Sequence, residues 1–285
     1  MAVAQTLKRL SCVAVAAMQI AWLSTAAYAQ PKDGAVKTLP PVTVTATTTR
    51  GAVEKSYRKM LAGMDLFERL HGMAPAASLR YKLLPRQPGT DMDHIALEIL
   101  GDTVAIPVRV EADHTFTLGR DREALAENAA VTPNRRAQSM TWRTDIRTPG
   151  LPPNTRRLGD LRLECQVGEE AGLVSNVRPI IGHIARFVTA LVDYCNREDT
   201  QYLFFAERPL FSVVMVDGAR RATVPVDRLY AGASANPNLK ADLPYCDCEV
   251  LIDRSYFMPL ADKSWPDDTL VEFEYMVDDD VRAPG

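Results

Sequence analysis

The side chains best able to do chemistry fall into a few groups. Ser56-Tyr-Arg-Lys59 has the S-x-x-K spacing, which on a helix sets a serine nucleophile and a lysine one turn apart on the same side. Such a site needs an S-x-N and a K-[ST]-G as companions. Ser234-Ala-Asn236 meets the first, but Lys263-Ser-Trp265 sets an indole where a substrate must approach the backbone closely, so Ser56 and Lys59 read as the wet side of an amphipathic helix. Asp91-Met-Asp-His94 together with His114 could offer oxygen and nitrogen ligands around two adjacent strands. The glycine and distal glutamate of a calcium loop are missing and there is no H-E-x-x-H, so the run reads as a polar turn. His183 borders an apolar stripe and could pair with a cysteine for nucleophilic catalysis, but a satisfied boundary histidine is the simpler reading. Neither a G-x-S-x-G, a P-loop nor a dinucleotide fingerprint occurs. No catalytic residue, cofactor or metal site is assigned.

The cysteines are read through their compartment. Lys8 and Arg9 precede an apolar run from Cys12 to Leu23, and Ala27-Tyr-Ala29 sets small residues before a cut between Ala29 and Gln30. This is the layout of a cleaved secretory signal over residues 1–29, and it predicts a periplasmic or secreted product. The run is shorter than the ~20 residues a spanning helix needs, and no later stretch reaches that length without charges, so no membrane span is expected after cleavage. Cys12 leaves with the signal. Cys165, Cys195, Cys246 and Cys248 remain, and an even number in an oxidising compartment predicts disulfides. Closing Cys246-Asp-Cys248 on itself makes a strained ring. The expected schemes therefore join Cys165 and Cys195 to the Cys246/Cys248 pair, or leave two thiols free. A soft metal could use the C-x-C sulfurs, but zinc spacings are absent.

Composition is that of an ordinary globular protein: 47% hydrophobic, 7% aromatic and 24% charged, with a net charge of −3. This excludes collagen-like, coiled-coil and wholly disordered chains and offers no bulk positive charge for nucleic acid. Local charge is uneven. Arg135, Arg136, Arg143, Arg147, Arg156, Arg157 and Arg162 crowd one stretch, while Asp267, Asp268, Glu272, Glu274, Asp278, Asp279 and Asp280 crowd another that has no base. Arg135, Arg136, Arg143, Arg147, Arg156 and Arg157 are candidates for a surface that takes a phosphate or carboxylate partner. The plainer reading is that both runs are solvated, or dock against each other inside the fold.

These residues must be held by elements, and the hydropathy period supplies them. Residues 30–52 lack a helical period and read as a flexible Pro/Thr tether. Val53, Tyr57, Met60, Leu61, Met64, Phe67 and Leu70 recur at three and four, which predicts a helix ending at His71-Gly72. The period then falls to two. Strands are expected at 79–83, 95–99, 104–110, 115–118 and 161–167, with Pro107 marking an edge or a bulge. Residues 131–158 read as a long loop with one strand near Met140-Thr-Trp142. Pro179 opens a broadly apolar helix over 180–195. Strands resume at 202–205, 211–216, 222–226, 250–252 and 271–275, with Asp217-Gly218 as a hairpin turn. The class is α+β and strand-dominated. It is an antiparallel sandwich-like lobe at 53–170, then a second α+β lobe at 171–285 with a buried helix and an acidic end.

One segment carries a likeness. Thr38-Leu-Pro-Pro-Val-Thr-Val-Thr-Ala46 resembles the energy-coupling box of TonB-dependent outer-membrane receptors, in which an extended segment adds as a strand to a periplasmic partner. The resemblance implies an envelope protein docking on the tether between Thr38 and Arg50. The rest of the chain departs from that family, being too short for its plug and large barrel, so transport is not implied. The expected role is non-enzymatic binding or scaffolding in the cell envelope or medium. The alternative is a secreted hydrolase with its site at the junction of the two lobes.

Overall fold

Residues 53–136, 138–174, 194–198, 202–232 and 250–276 are those the computed structural model describes, and all belong to the unit Thr47–Gly285. Among them the fold is α+β and strand-dominated, as expected, and every strand pairing is antiparallel. The expected signal and tether, the helix predicted over 180–195 as far as residue 193, His183, Ser234, Asn236, Cys246, Cys248 and residues 278–280 lie outside the described residues.

Helix α1 (Tyr57–Leu70) turns Tyr57, Met60 and Leu61 inward at the predicted spacing. It starts later than the period suggests, because Ser56 is its N-cap and accepts from the Lys59 N–H at 3.4 Å. Lys55–Ser56 instead form a short strand, β1, beside β6 (Ala130–Pro133). That sheet continues through β3 (Leu97–Leu100) to β4 (Ala105–Val108). Pro107 sits on the outer strand β4, where its missing N–H costs no ladder bond.

A second sheet pairs β2 (Ser78–Pro85) with β5 (Thr115–Phe116) on one side and β7 (Met140–Arg147) on the other. The β2–β7 ladder runs from Ser78 opposite Arg147 to Pro85 opposite Met140. Tyr57, Tyr81, Phe116 and Trp142 share the core between these sheets and α1. Each such side chain, fully buried, contributes roughly 1.5–3 kcal/mol. The third sheet has the order β11 (Arg220–Thr223), β10 (Leu210–Asp217), β13 (Leu270–Tyr275), β8 (Thr155–Arg157). The expected hairpin is present, but Asp217 still pairs with Arg220, so the β10–β11 turn falls at Gly218-Ala219, where Gly218 supplies the positive φ of 57°. A two-stranded ribbon of β9 (Leu203–Phe205) and β12 (Ser255–Phe257) completes the set. The short helix α2 (Arg122–Ala126) is capped by Asp121.

Three expectations fail. Residues 161–167 form no strand; they lie in helix α3 (Leu158–Glu170), which is buried on nearly every side. Leu158, Leu161 and Cys165 face the core of the third sheet, while Leu163 and Val167 face Ile146. The intervening Arg162 and Glu164 are buried too, so the apparent alternation of Leu161, Leu163, Cys165 and Val167 has no wet side behind it. Residues 131–158 are no long loop: they hold parts of β6, all of β7, and β8. Met140, Trp142 and Ile146 alternate with Thr141, Arg143 and Asp145 along β7, but both sides are buried, and the charged side resembled loop composition. Lastly, Leu251 and Ile252 lie in a turn and a short 3₁₀ segment, and the strand begins at Ser255.

Candidate functional site

Ser56 and Lys59 both lie at the start of α1 and are exposed. Ser56 spends its hydroxyl on capping α1, and Lys59 packs its stem against Gly172. Asp91 and Asp93 do not open toward a cation. The Arg135 guanidinium donates to the Asp91 carbonyl at 3.0 Å, the Asp91 carboxylate at 3.3 Å and the Asp93 carbonyl at 2.6 Å, so a positive charge already occupies the turn. His94 and His114 adopt left-handed backbone, with φ of 52° and 62°, as turn residues. Among the described residues no three His, Cys, Asp or Glu side chains gather around a point that could hold a metal ion.

Cys165 and Cys195 are bonded to each other, which corrects the expectation that each would reach the Cys246/Cys248 pair. Cys165 is on α3 and Cys195 on a 3₁₀ turn at Tyr194–Asn196, and both are buried. Pairing two cysteines thirty residues apart needs the helix to be placed first, so spacing could not reveal it.

The candidate anion-binding arginines do not form one surface. Arg143 and Arg156 are buried. Arg143 donates to the Leu203 carbonyl at 3.2 Å and lies over the Tyr202 and Phe205 rings. Arg156 donates to Glu164 at 2.5 Å and to the Ile146 carbonyl at 2.7 Å. Arg147 pairs with Asp145 and Glu207, both at 2.7 Å. Arg157 pairs with Asp268, Arg135 is held in the turn just described, and Arg136 is exposed. The seventh arginine of the stretch, Arg162, is buried as well and donates to Asp267 at 2.6 Å. The arginine-rich run and the front of the acidic run thus meet at two points, Arg157 with Asp268 and Arg162 with Asp267, while Arg135, Arg143, Arg147 and Arg156 are engaged elsewhere in the fold. Inside this cluster burial works against the Asp145 carboxylate, but Arg147, Arg156 and Arg80 hold its carboxyl below the ordinary range. Burial pushes the Glu164 carboxyl up against the pull of Arg156.

Among the described residues an open concavity lies elsewhere, on the outer side of the third sheet. It is a groove of about 580 Å³ lined by Asn154, Arg208, Ser212, Val214, Arg221, Glu272, Glu274 and the segment Phe273 to Met276. Alternation places its polar groups. Val213 and Met215 of β10 and Val271 and Phe273 of β13 point into the core, so Ser212, Val214, Glu272 and Glu274 point out. Arg221 donates to Glu272 at 2.6 Å, Ser212 donates to Glu274 at 2.8 Å, and the Arg208 guanidinium lies 4.4 Å over the Tyr275 ring. Burial, then the charge of Glu207, pushes the Tyr275 hydroxyl up.

The register slips between Leu210 and Ser212, and the extra residue at this bulge is Phe211, 63% exposed. Met276 (41% exposed) donates its N–H to the Pro209 carbonyl, which puts it at the same end of the sheet. Strand bulges redirect side chains and recur next to functional sites. In the sequence Glu272 and Glu274 stood out only as members of the acidic run, and the other groove residues did not stand out. The polar Ser212 and the alternating Glu272 and Glu274 are the signal that could have found them, but their pairing into one groove needs the β10–β13 register. No protein-family model matches the chain, and neither a curated protein nor a solved structure matches it.

Proposed function

We propose that this is an exported, non-enzymatic binding protein of the cell envelope or medium, and that the groove on the outer side of β10 and β13 is its ligand surface. The observation that carries this reading is the state of the groove's side chains. Glu272 and Glu274 are engaged by Arg221 and Ser212, an arrangement suited to holding shape rather than to moving protons, while Met276 lines the groove and Phe211, next to Ser212 at the bulge, is exposed. Exposed apolar side chains bordering a polar concavity are what binding sites offer a ligand. Export is supported by the leader-like residues 8–29 and by the Cys165–Cys195 bond, which is compatible with an oxidising compartment. No helix among the described residues is long and apolar enough to cross a membrane.

The test is a thermal-shift screen of purified mature protein against envelope-derived small molecules and polymers. A ligand that binds the folded state raises the melting temperature by mass action. Hits should stabilise the wild type and lose their effect on Phe211→Asp. Hits that stabilise both equally would put binding elsewhere, and hits that are chemically turned over would make the protein an enzyme. The tether between Thr38 and Arg50 is proposed as a separate docking strand for an envelope protein, on the residues that carry the resemblance. Deleting 30–50 should abolish capture of that partner while leaving the melting temperature unchanged. Unfolding on deletion would make the segment part of the fold instead.

A further inference from the structure

We infer that the groove takes a neutral, hydroxyl-rich ligand, a short stretch of saccharide chain; the inference rests on the groove being the binding surface. Three properties of the lining select this chemistry. The first is charge balance. Arg208 and Arg221 line the groove together with Glu272 and Glu274; Arg221 is engaged by Glu272, and Arg208 lies over the Tyr275 ring. An anion would have to compete with Glu272 for Arg221 and would meet both carboxylates. A cation would meet two arginines. A neutral ligand meets neither penalty, because the existing pairs stay intact.

The second property is hydrogen-bonding capacity. An ionised carboxylate offers about four lone-pair sites, and Glu274 accepts one bond from Ser212. Glu272 and Glu274 keep acceptor positions open, and Asn154 adds an amide that can donate. A lining that mixes donors and acceptors within one strand repeat suits hydroxyls, each of which does both. The third is the apolar share. Val214 forms part of the floor and Met276 part of the wall, and Phe211 follows next to Ser212 at the bulge, mostly exposed. The C–H side of a sugar ring stacks on such a platform, while its hydroxyl edge faces the carboxylates. The groove is open rather than enclosed, so a chain can lie across it where a small metabolite would not be surrounded.

The experiment is NMR of the mature chain carrying labelled Phe and Tyr, titrated with four probes at millimolar concentration. Two are neutral, a glucan tetrasaccharide and an N-acetylglucosamine tetrasaccharide; one is an anionic heparin-derived tetrasaccharide; one is an extended uncharged peptide. The expected result is a shift of the Phe211 and Tyr275 ring signals with at least one neutral saccharide. Phe211→Ala should weaken that binding about tenfold, and Phe211→Tyr should restore it, with all melting temperatures alike. Shifts only with the heparin fragment or only with the peptide overturn the saccharide assignment and leave the groove as a binding surface. No shift of either ring with any probe overturns both. Saccharide binding that survives Phe211→Ala undiminished also overturns the assignment.

Discussion

The Arg162 guanidinium donates to Asp267 at 2.6 Å across 105 residues of chain. The same guanidinium donates to the carbonyls of Leu260, Asp262 and Trp265 at 2.9, 2.7 and 3.0 Å, so one buried side chain of α3 holds the whole approach to β13. Arg220 in turn lies 3.6 Å over the Trp265 ring. Through this chain of contacts the helix sets where β13, and with it the groove, begins.

Arg162→Lys should therefore be costly although it keeps the charge. A lysine cannot reproduce four donations in one plane, and carbonyls left unsatisfied in a buried place cost about 1–3 kcal/mol each. We expect a loss of roughly 3 kcal/mol in urea unfolding and a red shift of Trp265 emission. A variant as stable as wild type would mean that the loop is held by other contacts.

The Cys165–Cys195 bond closes a loop of sequence separation 30, which by chain-entropy arguments stabilises the fold by about 3–4 kcal/mol. Both sulfurs are buried. Neither cysteine should be alkylated in the native, unreduced protein, and peptide mapping should recover the two joined. Cys165→Ala with Cys195→Ala should lower the melting temperature by several degrees. Mapping that joined either one to Cys246 or Cys248 would contradict the pairing.

Acid sensitivity should trace in part to Asp145. Its folded carboxyl is held below the ordinary value, near 3.9, by Arg147, Arg156 and Arg80, against the cost of burial. A depressed carboxyl contributes stability that is present above its unfolded value and is lost as pH falls through the folded one. Glu164 works in the opposite sense: burial raises it, so its contribution is present at low pH and declines as pH rises past the ordinary carboxylate range. Asp145→Asn should thus be destabilised at neutral pH, and the gap to wild type should narrow below about pH 4. Chemical denaturation from pH 3 to 7 reads this directly; a constant gap would refute it.

Ser56→Ala should cost about 0.5–1 kcal/mol as the loss of a helix cap, and Ser56→Asp should restore most of it. Lys59→Ala should be close to neutral, since its side chain is exposed. Neither a β-lactam nor a fluorophosphonate should label Ser56, and mass spectrometry of the treated protein checks this.

Elements with one wet side, or with a local turn rule, were legible in the sequence. The spacing of Tyr57, Met60 and Leu61 announced α1, Pro107 announced an edge or a bulge, and Asp217-Gly218 announced a hairpin, because solvent or a local steric constraint writes each pattern into neighbouring residues. What only the tertiary structure decided was the fate of the charged residues in 135–170. Arg143, Asp145, Arg156, Arg162 and Glu164 are buried, and the groups that satisfy them, such as the Leu203 carbonyl, Ile146 carbonyl and Asp267, come from other elements. A buried charge whose partner is distant in sequence leaves no periodic trace, so β7 resembled a loop and α3 a strand. The groove was hidden for the same reason: Ser212, Arg221, Glu272 and Glu274 are four ordinary polar positions until the register of β10 with β11 and β13 sets them side by side.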